Sequence, residues 1–371
     1  MSGSLRLGKV FGVTINLHYT WFIIFALITV SFSLSLPEDY SLWLRAITGV
    51  FTSVLLFASV IAHELAHSLV AIRSGIPVKS ITLFFLGGVA QITREATRPM
   101  TELLMAIAGP LCSLVLAGLF YGIGTAVWGD TQDGLDNPIF WLALINLTLA
   151  LFNLVPGFPL DGGRILRSLL WRSMGSYKRA THVASLVGRG VAYLLIIGGI
   201  ALIFTTDLSP LNGIWLAFIG WFLHSAATDS YRQVEMREAL KGLTARAVMS
   251  SDYVVVSPSL SLRDLVQGYV LPTGRHYFVV VLEGRLEGVV TLENIKTVSQ
   301  TQWGITPVRA VMAPADRVVR ADPEEEALRV LERMEEHGIN EMLVVKEGIV
   351  LGIITRANLL RSIQLRSELK I

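Results

Sequence analysis

The hydrophobic residues of this chain form long uninterrupted stretches through the first 230 or so positions and shorter runs after them. An apolar stretch of about 18 or more residues is long enough to cross a bilayer as a helix. Six apolar stretches approach or exceed this length, and each predicts a transmembrane helix. They cover residues 19–36, 46–72, 103–127, 138–155, 183–204 and 213–227.

The composition agrees with a membrane protein. Hydrophobic residues make up 52% of the 371 and charged residues only 16%, against about 25% charged in an ordinary soluble domain. The 31 Lys and Arg nearly balance the 29 Asp and Glu, so no basic field indicates a nucleic acid as partner. Cys112 is the one cysteine, which excludes an intramolecular disulfide.

Basic residues in the connections predict the orientation, because Lys and Arg are retained on the cytoplasmic side. They occur before the first span and after the second, fourth and sixth, whereas the alternate connections are mainly acidic. We therefore predict a multi-pass protein of the cell membrane with both termini in the cytoplasm. The apolar run that begins near Tyr19 lacks a small-residue cleavage site, so we interpret it as a retained span.

The region after Arg232 has the charge density of a soluble domain and contains an internal repeat. Gly288–Thr291 recurs as Gly352–Thr355, with a period of about 64 residues. Each copy is predicted to fold as strand, helix, strand, strand, helix, with turns at Glu283-Gly284 and Glu347-Gly348. A unit of this size cannot bury its sheet alone, so the two copies should pack together. The predicted orientation places this region in the cytoplasm with the C-terminus.

This repeat resembles the CBS domain, the module named after cystathionine beta-synthase, over residues 243–363. The fold class that follows is multi-domain: a polytopic α-helical membrane domain over 1–231, then an α/β CBS pair over 243–300 and 304–363. In that family, the pair regulates or assembles an attached enzyme or transporter.

The resemblance also implies a cofactor, because CBS clefts often accept adenine nucleotide. Thr291 and Thr355 would be the phosphate contacts. The acidic residue that meets the ribose hydroxyls in nucleotide-binding members is replaced by Asn294 and Asn358. A pair that mediates homodimerisation, or one that is purely structural, therefore stays open as the alternative.

The second span carries the sequence His63-Glu64-Leu65-Ala66-His67, an H-E-x-x-H, near its cytoplasmic end. Residues four apart on a helix share a face, so His63 and His67 can both bind one zinc ion. Glu64 then lies beside the metal without binding it, which suits a general base that activates a zinc-bound water. Ionisable residues inside an apolar span are costly and are usually functional.

A catalytic zinc needs a third protein ligand, and Asp161 is the candidate. It follows the fourth span, in a stretch with two prolines and three glycines that should interrupt the helix. Irregular backbone at membrane depth is tolerated only where it is buried or lines a cavity. An interfacial carboxylate that pairs with Arg164 is the alternative interpretation.

The H-E-x-x-H in one span and N-x-x-P-x-x-P-x-D-G-G-R after another resemble the site-2 protease family of intramembrane zinc metalloproteases. The resemblance implies cleavage of a transmembrane protein substrate within or near the bilayer. Carried over by position, His63, His67 and Asp161 would bind one zinc and Glu64 would be the base. Asn153 would orient the substrate or stabilise the oxyanion, unless it merely ends its helix.

The segment 79–94 contains Gly87-Gly88 between β-rich flanks, which predicts a hairpin or a bent strand. The site-2 protease family has a G-G motif at the equivalent place. A free strand edge there could pair with an unwound substrate, so Gly87 and Gly88 are candidate substrate-binding residues. An ordinary structural hairpin is the alternative. Ala108-Gly109-Pro110 in the third span is interpreted as a packing kink without a role in catalysis.

The competing hypothesis for the whole chain is a CBS-regulated membrane transporter or channel, with the histidines along an ion path. Such a path needs polar residues spread through several spans, whereas here they concentrate at one depth. A catalytically inactive scaffold is a third possibility, and the complete set of four zinc-site residues disfavours it.

Overall fold

The computed structural model describes residues 4–84, 87–92, 96–129, 137–205 and 210–369. The chain divides into two compact units, Met1–Arg232 and Gln233–Ile371. Two connections whose acidic residues enter the orientation prediction, 130–136 and 206–209, lie outside the described residues.

Helices dominate the first unit, and every predicted span coincides with one of them. They are α1 (Tyr19–Ser35), α2 (Leu42–Arg73), α3 (Pro99–Trp128), α4 (Pro138–Asn153), α5 (Asp161–Met174), α6 (Tyr177–Thr205) and α7 (Pro210–Leu240), which begins in the first unit and extends past its last residue, Arg232. The one helix without a predicted span is α5, which is amphipathic and ends at Gly175 in the left-handed conformation.

The lengths of these helices bear on the membrane prediction. Among the described residues, α2, α3 and α6 up to Phe204 are long and apolar enough to cross a bilayer, and α1 and α4 are apolar but shorter. This agrees with a polytopic helical membrane unit. The number of six crossings stays a prediction.

A four-stranded sheet accompanies the helices of the first unit, and the sequence analysis predicts only half of it. Its strands are β1 (Ser4–Val10), β2 (Val13–His18), β3 (Val78–Phe84) and β4 (Gly87–Ile92), in the order β1-β2-β3-β4. Alternate residues of β2 are buried, as expected for a strand with one face covered. Val13 and Ile81 of the sheet pack against Leu65 of α2. The sheet therefore lies directly on the helix that carries the H-E-x-x-H.

The predicted hairpin is present, and among the described strands β4 lies at one edge of the sheet. Its two glycines open the second strand, with Gly87 opposite Phe84 and Gly88 opposite Leu83. The pairing between β2 and β3 is parallel, whereas β3 and β4 run antiparallel.

The second unit contains two similar halves. The first half has α8 (Ala245–Val248), β5 (Val255–Val256), α9 (Leu262–Leu265), a π-helical turn at Val266–Val270, α10 (Leu271–Thr273), β6 (Tyr277–Leu282), β7 (Arg285–Thr291) and α11 (Leu292–Lys296). After 3₁₀ turns at Gln300–Gln302 and Val308–Ala310, the second half has β8 (Ala313–Pro314), β9 (Arg320–Ala321), α12 (Ala327–His337), β10 (Glu341–Lys346), β11 (Ile349–Thr355) and α13 (Arg356–Leu369).

The two halves pack together as predicted. Their sheets have the orders β5-β6-β7-β8 and β11-β10-β9, and β8 from the start of the second half pairs with β7 of the first. Val279 and Val289 of one sheet form a buried cluster with Leu343 and Ile353 of the other. Burial of apolar side chains between the sheets is what neither copy could achieve alone.

The predicted turns have the conformation that tight hairpins require. Glu283 and Gly284 have φ of 51° and 79°, and Glu347 and Gly348 have φ of 54° and 83°. Positive φ at both central residues matches the right-handed twist of the flanking strands. The strand pairs that end in Thr291 and Thr355 are therefore held in register by equivalent turns.

Candidate active site

Three potential metal ligands converge where α2 meets the start of α5. The Nε2 atoms of His63 and His67 lie 3.2 Å apart, and Oδ2 of Asp161 lies 3.3 Å from the first and 3.1 Å from the second. A tetrahedral zinc ion with ligands at about 2.0–2.1 Å separates its ligand atoms by roughly 3.3 Å. The three distances therefore match the edges of one zinc coordination tetrahedron.

Hydrogen bonds on the far side of each imidazole orient these nitrogens. Nδ1 of His67 lies 2.6 Å from the backbone oxygen of Met105, and Nδ1 of His63 lies 2.9 Å from Oγ of Ser113. A carbonyl oxygen can only accept, so Nδ1 of His67 donates, and in the neutral imidazole Nε2 then presents a lone pair toward Asp161. Lone pairs that face one another around a buried point are suited to a cation. The residues present thus fit a zinc ion.

A glycine of α3 makes the room for this cluster. A Cβ atom at Gly109 would lie 2.1 Å from Nε2 of His67 and 2.6 Å from Nε2 of His63, closer than any side chain tolerates. The interpretation of Ala108-Gly109-Pro110 as a mere kink is therefore incomplete, because Gly109 lies directly against the ligand atoms. Ser113, one turn further along α3, is also missed by sequence reasoning.

The stretch before Asp161 is held by close backbone contacts. A Cβ atom at Gly162 would lie 2.3 Å from the carbonyl oxygen of Val155, and one at Gly163 would lie 2.4 Å from the carbonyl carbon of Gly157. Gly157 in turn meets Gly188 of α6, since its own Cβ would approach the Gly188 Cα to 2.4 Å. The glycines of the D-G-G sequence are thus required for the fold that brings Asp161 to the histidines.

A cavity of about 520 Å³ opens beside the three ligand atoms. Besides His63, His67 and Asp161, its lining includes the predicted residues Glu64, Asn153, Gly87 and Gly88. The remaining lining is mainly apolar: Ile24, Ile28, Leu56, Phe57, Val60, Val89, Ala90, Leu149, Pro159 and Arg164. The structure therefore brings all the membrane-unit site residues of the sequence analysis to one place.

Two of the lining residues, Glu64 and Asn153, make further contacts that restrict their positions. Glu64 is packed against strand β4, since a Cβ at Gly88 would lie 2.5 Å from its Cγ. Asn153 is the last residue of α4 and donates from Nδ2 to the backbone oxygen of Leu149 at 3.0 Å. Asn153 thus both ends its helix and lines the cavity, so both interpretations of it remain.

The two candidate nucleotide contacts lie in the second unit, each at the start of a helix. The Thr291 hydroxyl donates to Oδ1 of Asn294 at 2.8 Å and accepts from the Asn294 backbone N–H at 3.3 Å. The Thr355 hydroxyl accepts from the backbone N–H of Asn358 at 3.1 Å. Both threonines therefore cap helices, and Thr291 is part of a complete capping box.

Known protein families match the two parts of the chain separately. The model of peptidase family M50 matches residues 51–132 and 129–197, and the CBS domain model matches 245–300 and 308–365. Both predicted resemblances are thereby confirmed.

Relatives match the chain along nearly its whole length. A candidate zinc metalloprotease of Synechocystis is 35% identical over 98% of this chain and 96% of its own. A zinc metalloprotease of Methanocaldococcus jannaschii is 31% identical over 100% of both chains. The solved structure of a site-2 protease from Methanocaldococcus jannaschii is 31% identical, covers 62% of this chain and 95% of that one, and gives a TM-score of 0.44. With such identity maintained across the membrane unit and the repeat together, the chain belongs to peptidase family M50 and carries a CBS domain pair after its peptidase region.

Proposed function

We propose that this chain is an intramembrane zinc endopeptidase that cleaves transmembrane protein substrates within or near the bilayer. The observation that carries the proposal is the convergence of two imidazole Nε2 atoms and one carboxylate oxygen within 4.8 Å of one another. His63 and His67 supply the nitrogens and Asp161 supplies the oxygen. A zinc ion held there would supply Lewis-acid polarisation of a carbonyl and would lower the pKa of a water molecule.

The remaining chemistry belongs to the side chains around the ligands. Glu64 is the general base: it lines the same cavity as the three ligands, takes a proton from the attacking water and returns it to the leaving amine. Asn153 lies in the cavity with an amide that can donate to the substrate carbonyl oxygen or to the oxyanion. The apolar part of the lining excludes bulk water, which strengthens these electrostatic interactions.

Substrate binding by strand β4 follows from its position at the edge of the sheet. A helical substrate hides its carbonyls in internal hydrogen bonds, so the segment to be cut has to unwind. An extended segment can add to the free edge of β4 at Gly87 and Gly88. This alignment would carry the scissile bond past Glu64, against which Gly88 packs.

The decisive experiment replaces the base and a ligand separately. Glu64→Gln should retain zinc, measured by elemental analysis of the purified protein, and lose cleavage of a co-reconstituted single-span substrate by at least about 100-fold. His67→Ala should lose both zinc and cleavage. Cleavage at the normal rate by Glu64→Gln would refute the assignment of the base. A wild-type protein without zinc would refute the peptidase proposal.

A CBS-regulated transporter is less supported than a protease. The matched relatives are described as zinc metalloproteases, and the polar residues of the site surround one cavity. Ion flux into proteoliposomes that persists in Glu64→Gln while no proteolysis is detected would favour the transporter.

The orientation of the chain and the division into domains 1–231, 243–300 and 304–363 are part of the same proposal. The CBS pair and both termini are assigned to the cytoplasm by the positive-inside rule. A single cysteine placed at the exposed Ser259, with Cys112 replaced by Ala, provides a test. An impermeant maleimide should label it in inverted vesicles and leave it unlabelled in intact cells. Labelling in intact cells would refute the orientation.

The CBS pair is proposed to regulate or assemble the peptidase by binding adenine nucleotide or by forming a homodimer. The capping threonines lie at helix N-termini, where backbone N–H groups favour phosphate. Titration of the full chain in detergent with ATP and with AMP by calorimetry tests the first role, and light scattering tests the second. No heat at millimolar nucleotide would leave the pair an architectural role.

A further inference from the structure

We propose that the buried ion pair between Glu102 of α3 and Arg167 of α5 positions Asp161 relative to the two histidines of α2. The proposal rests on the function above, because it concerns the geometry of the same zinc site. Neither residue lines the cavity, so the pair would act through the ligands rather than on the substrate.

The pair is one of the most deeply buried charged contacts in the described part of the membrane unit. Glu102 is 1% exposed and Arg167 is 8% exposed. Arg167 donates from Nε to Oε1 of Glu102 at 2.7 Å, and its Nη2 donates to the same oxygen. The guanidinium carbon Cζ of Arg167 lies over two aromatic rings, 4.7 Å from the centre of Phe158 and 4.6 Å from the centre of Tyr177. Two hydrogen bonds and two aromatic faces leave the guanidinium plane a single orientation.

Glu102 and Arg167 each lie close in sequence to a residue that positions a proposed zinc ligand. Glu102 is one turn before Met105 on α3, and the Met105 carbonyl accepts the Nδ1 hydrogen bond of His67. Arg167 lies on α5, the helix that Asp161 begins, and Phe158 precedes Asp161 by three residues. The ion pair therefore ties the helix that orients His67 to the segment that presents Asp161.

The chemistry of the pair argues for positioning rather than for stability. Burying two charges costs hydration free energy that their mutual attraction often fails to recover. Apolar side chains of similar volume therefore often stabilise a fold equally well. In addition, Oε2 of Glu102 is buried with no hydrogen-bond partner among the residues that the structure describes. The ion pair provides a directional link between α3 and α5, which apolar packing would not provide.

The experiment removes the pair without leaving a single buried charge. Glu102→Met combined with Arg167→Met should fold, with a thermal unfolding midpoint close to that of the wild type. Zinc affinity, measured by competition with a chromogenic chelator, should fall by about 10–100-fold, as for other groups that orient metal ligands. The visible absorption of the Co²⁺-substituted protein should change, and kcat should fall while KM stays within about twofold.

Two further variants keep the test decisive. Arg167→Lys retains the charge and loses the two-pronged contact, so we expect an intermediate loss of zinc affinity and of kcat. Ser168→Ala removes the hydroxyl of the adjacent buried residue, which donates to the Ile165 carbonyl of its own helix, and should leave the cobalt spectrum and zinc affinity unchanged. If the double variant fails to fold, Arg167→Lys decides the question.

The outcomes separate this inference from the proposed function. Wild-type zinc affinity and cobalt spectrum in a folded double variant, or in Arg167→Lys, would overturn the positioning role and leave the protease proposal intact. Wild-type protein that binds no zinc would overturn the protease proposal itself. Zinc affinity and kcat that fall together in the double variant, with Ser168→Ala unaffected, support the inference.

Discussion

The membrane unit and the CBS pair use their polar side chains in opposite ways. In the membrane unit, Asp161 approaches His63 and His67 across 98 and 94 positions of sequence, and the three face one another with their metal-binding atoms. In the CBS pair, the hydroxyls of Thr291 and Thr355 are satisfied within three residues of their own positions. Potential metal-binding atoms that converge from distant elements indicate a bound ligand. Hydroxyl groups whose hydrogen bonds are local are accounted for by helix capping.

The sequence motifs of the two units therefore differ in how strongly they indicate a bound ligand. With both imidazoles neutral and protonated on Nδ1, the Nε2 atoms of His63 and His67 and the Asp161 carboxylate present lone pairs to one another, an arrangement that a bound cation would stabilise. The positions of Thr291 and Thr355 are explained by helix capping without a ligand. Variants that alter the space around each group should therefore have large effects in the membrane unit and small ones in the CBS pair.

The largest effect is expected at Gly109. In Gly109→Ala, the new methyl group would overlap both Nε2 atoms, while Ser113 and Met105 hold the rings from the other side. Zinc affinity should fall by on the order of 100-fold or more, as measured by chelator competition. Gly118→Ala on the same helix is the matched control, since a Cβ there meets nothing within 4 Å. Equal zinc affinity in the two variants would contradict the cluster geometry.

A smaller and different effect is expected at Gly88. Its Cβ would lie 2.5 Å from Cγ of Glu64, and a flexible glutamate can move aside, so the fold and the zinc ligands should tolerate Gly88→Ala. The displaced carboxylate is less well aligned with the attacking water, and kcat should fall by about tenfold with zinc content unchanged. A variant that loses zinc, or that cleaves substrate at the wild-type rate, would show that Glu64 is not constrained by β4.

The parts of this site that sequence reasoning reaches are those with local geometry. His63 and His67 follow from helical spacing, and Asp161 follows from the motif that contains it. Ser113, the Met105 carbonyl and the clearance at Gly109 depend on how α3 crosses α2, which no local pattern specifies. The β1–β2 hairpin is missed for a related reason. The alternation of Val13, Ile15 and Leu17 is short and lies inside a polar segment, so it is informative only once Leu65 is known to cover it.

In the CBS pair, the expected consequence of losing a capping hydroxyl is a moderate loss of stability. Thr291→Ala removes both hydrogen bonds between this hydroxyl and Asn294 and should lower the free energy of unfolding by about 1 kcal/mol. Scanning calorimetry of the full chain in detergent measures it. Thr301→Ala, at an exposed hydroxyl that contacts the Ser299 hydroxyl, is the control. If Thr291→Ala leaves stability unchanged and instead abolishes nucleotide binding, the contrast between the two units fails.

The smallest effect is expected from Glu341 at the start of β10. Burial raises its pKa above the ordinary 4.5, and the positive charges of His276 and Arg275 oppose this shift. Tyr277 is nearby as well, and burial together with the Glu341 charge raises the pKa of its phenol. The folded state thus binds the Glu341 proton more tightly than the unfolded state does. The contribution of Glu341 to stability is therefore present at low pH and is lost as pH rises through its folded pKa.

Glu341→Gln keeps the protonated shape of the side chain at every pH. The variant should unfold at a slightly higher temperature than the wild type at pH 7 to 8, and the difference should shrink as pH falls toward 4.5. Glu335→Gln, at an exposed glutamate of α12, should show no comparable dependence in the same calorimetric series. A difference that stays constant with pH would mean that the nearby positive charges balance burial at this position, and a variant that unfolds at a lower temperature than the wild type at pH 7 to 8 would mean that they outweigh it.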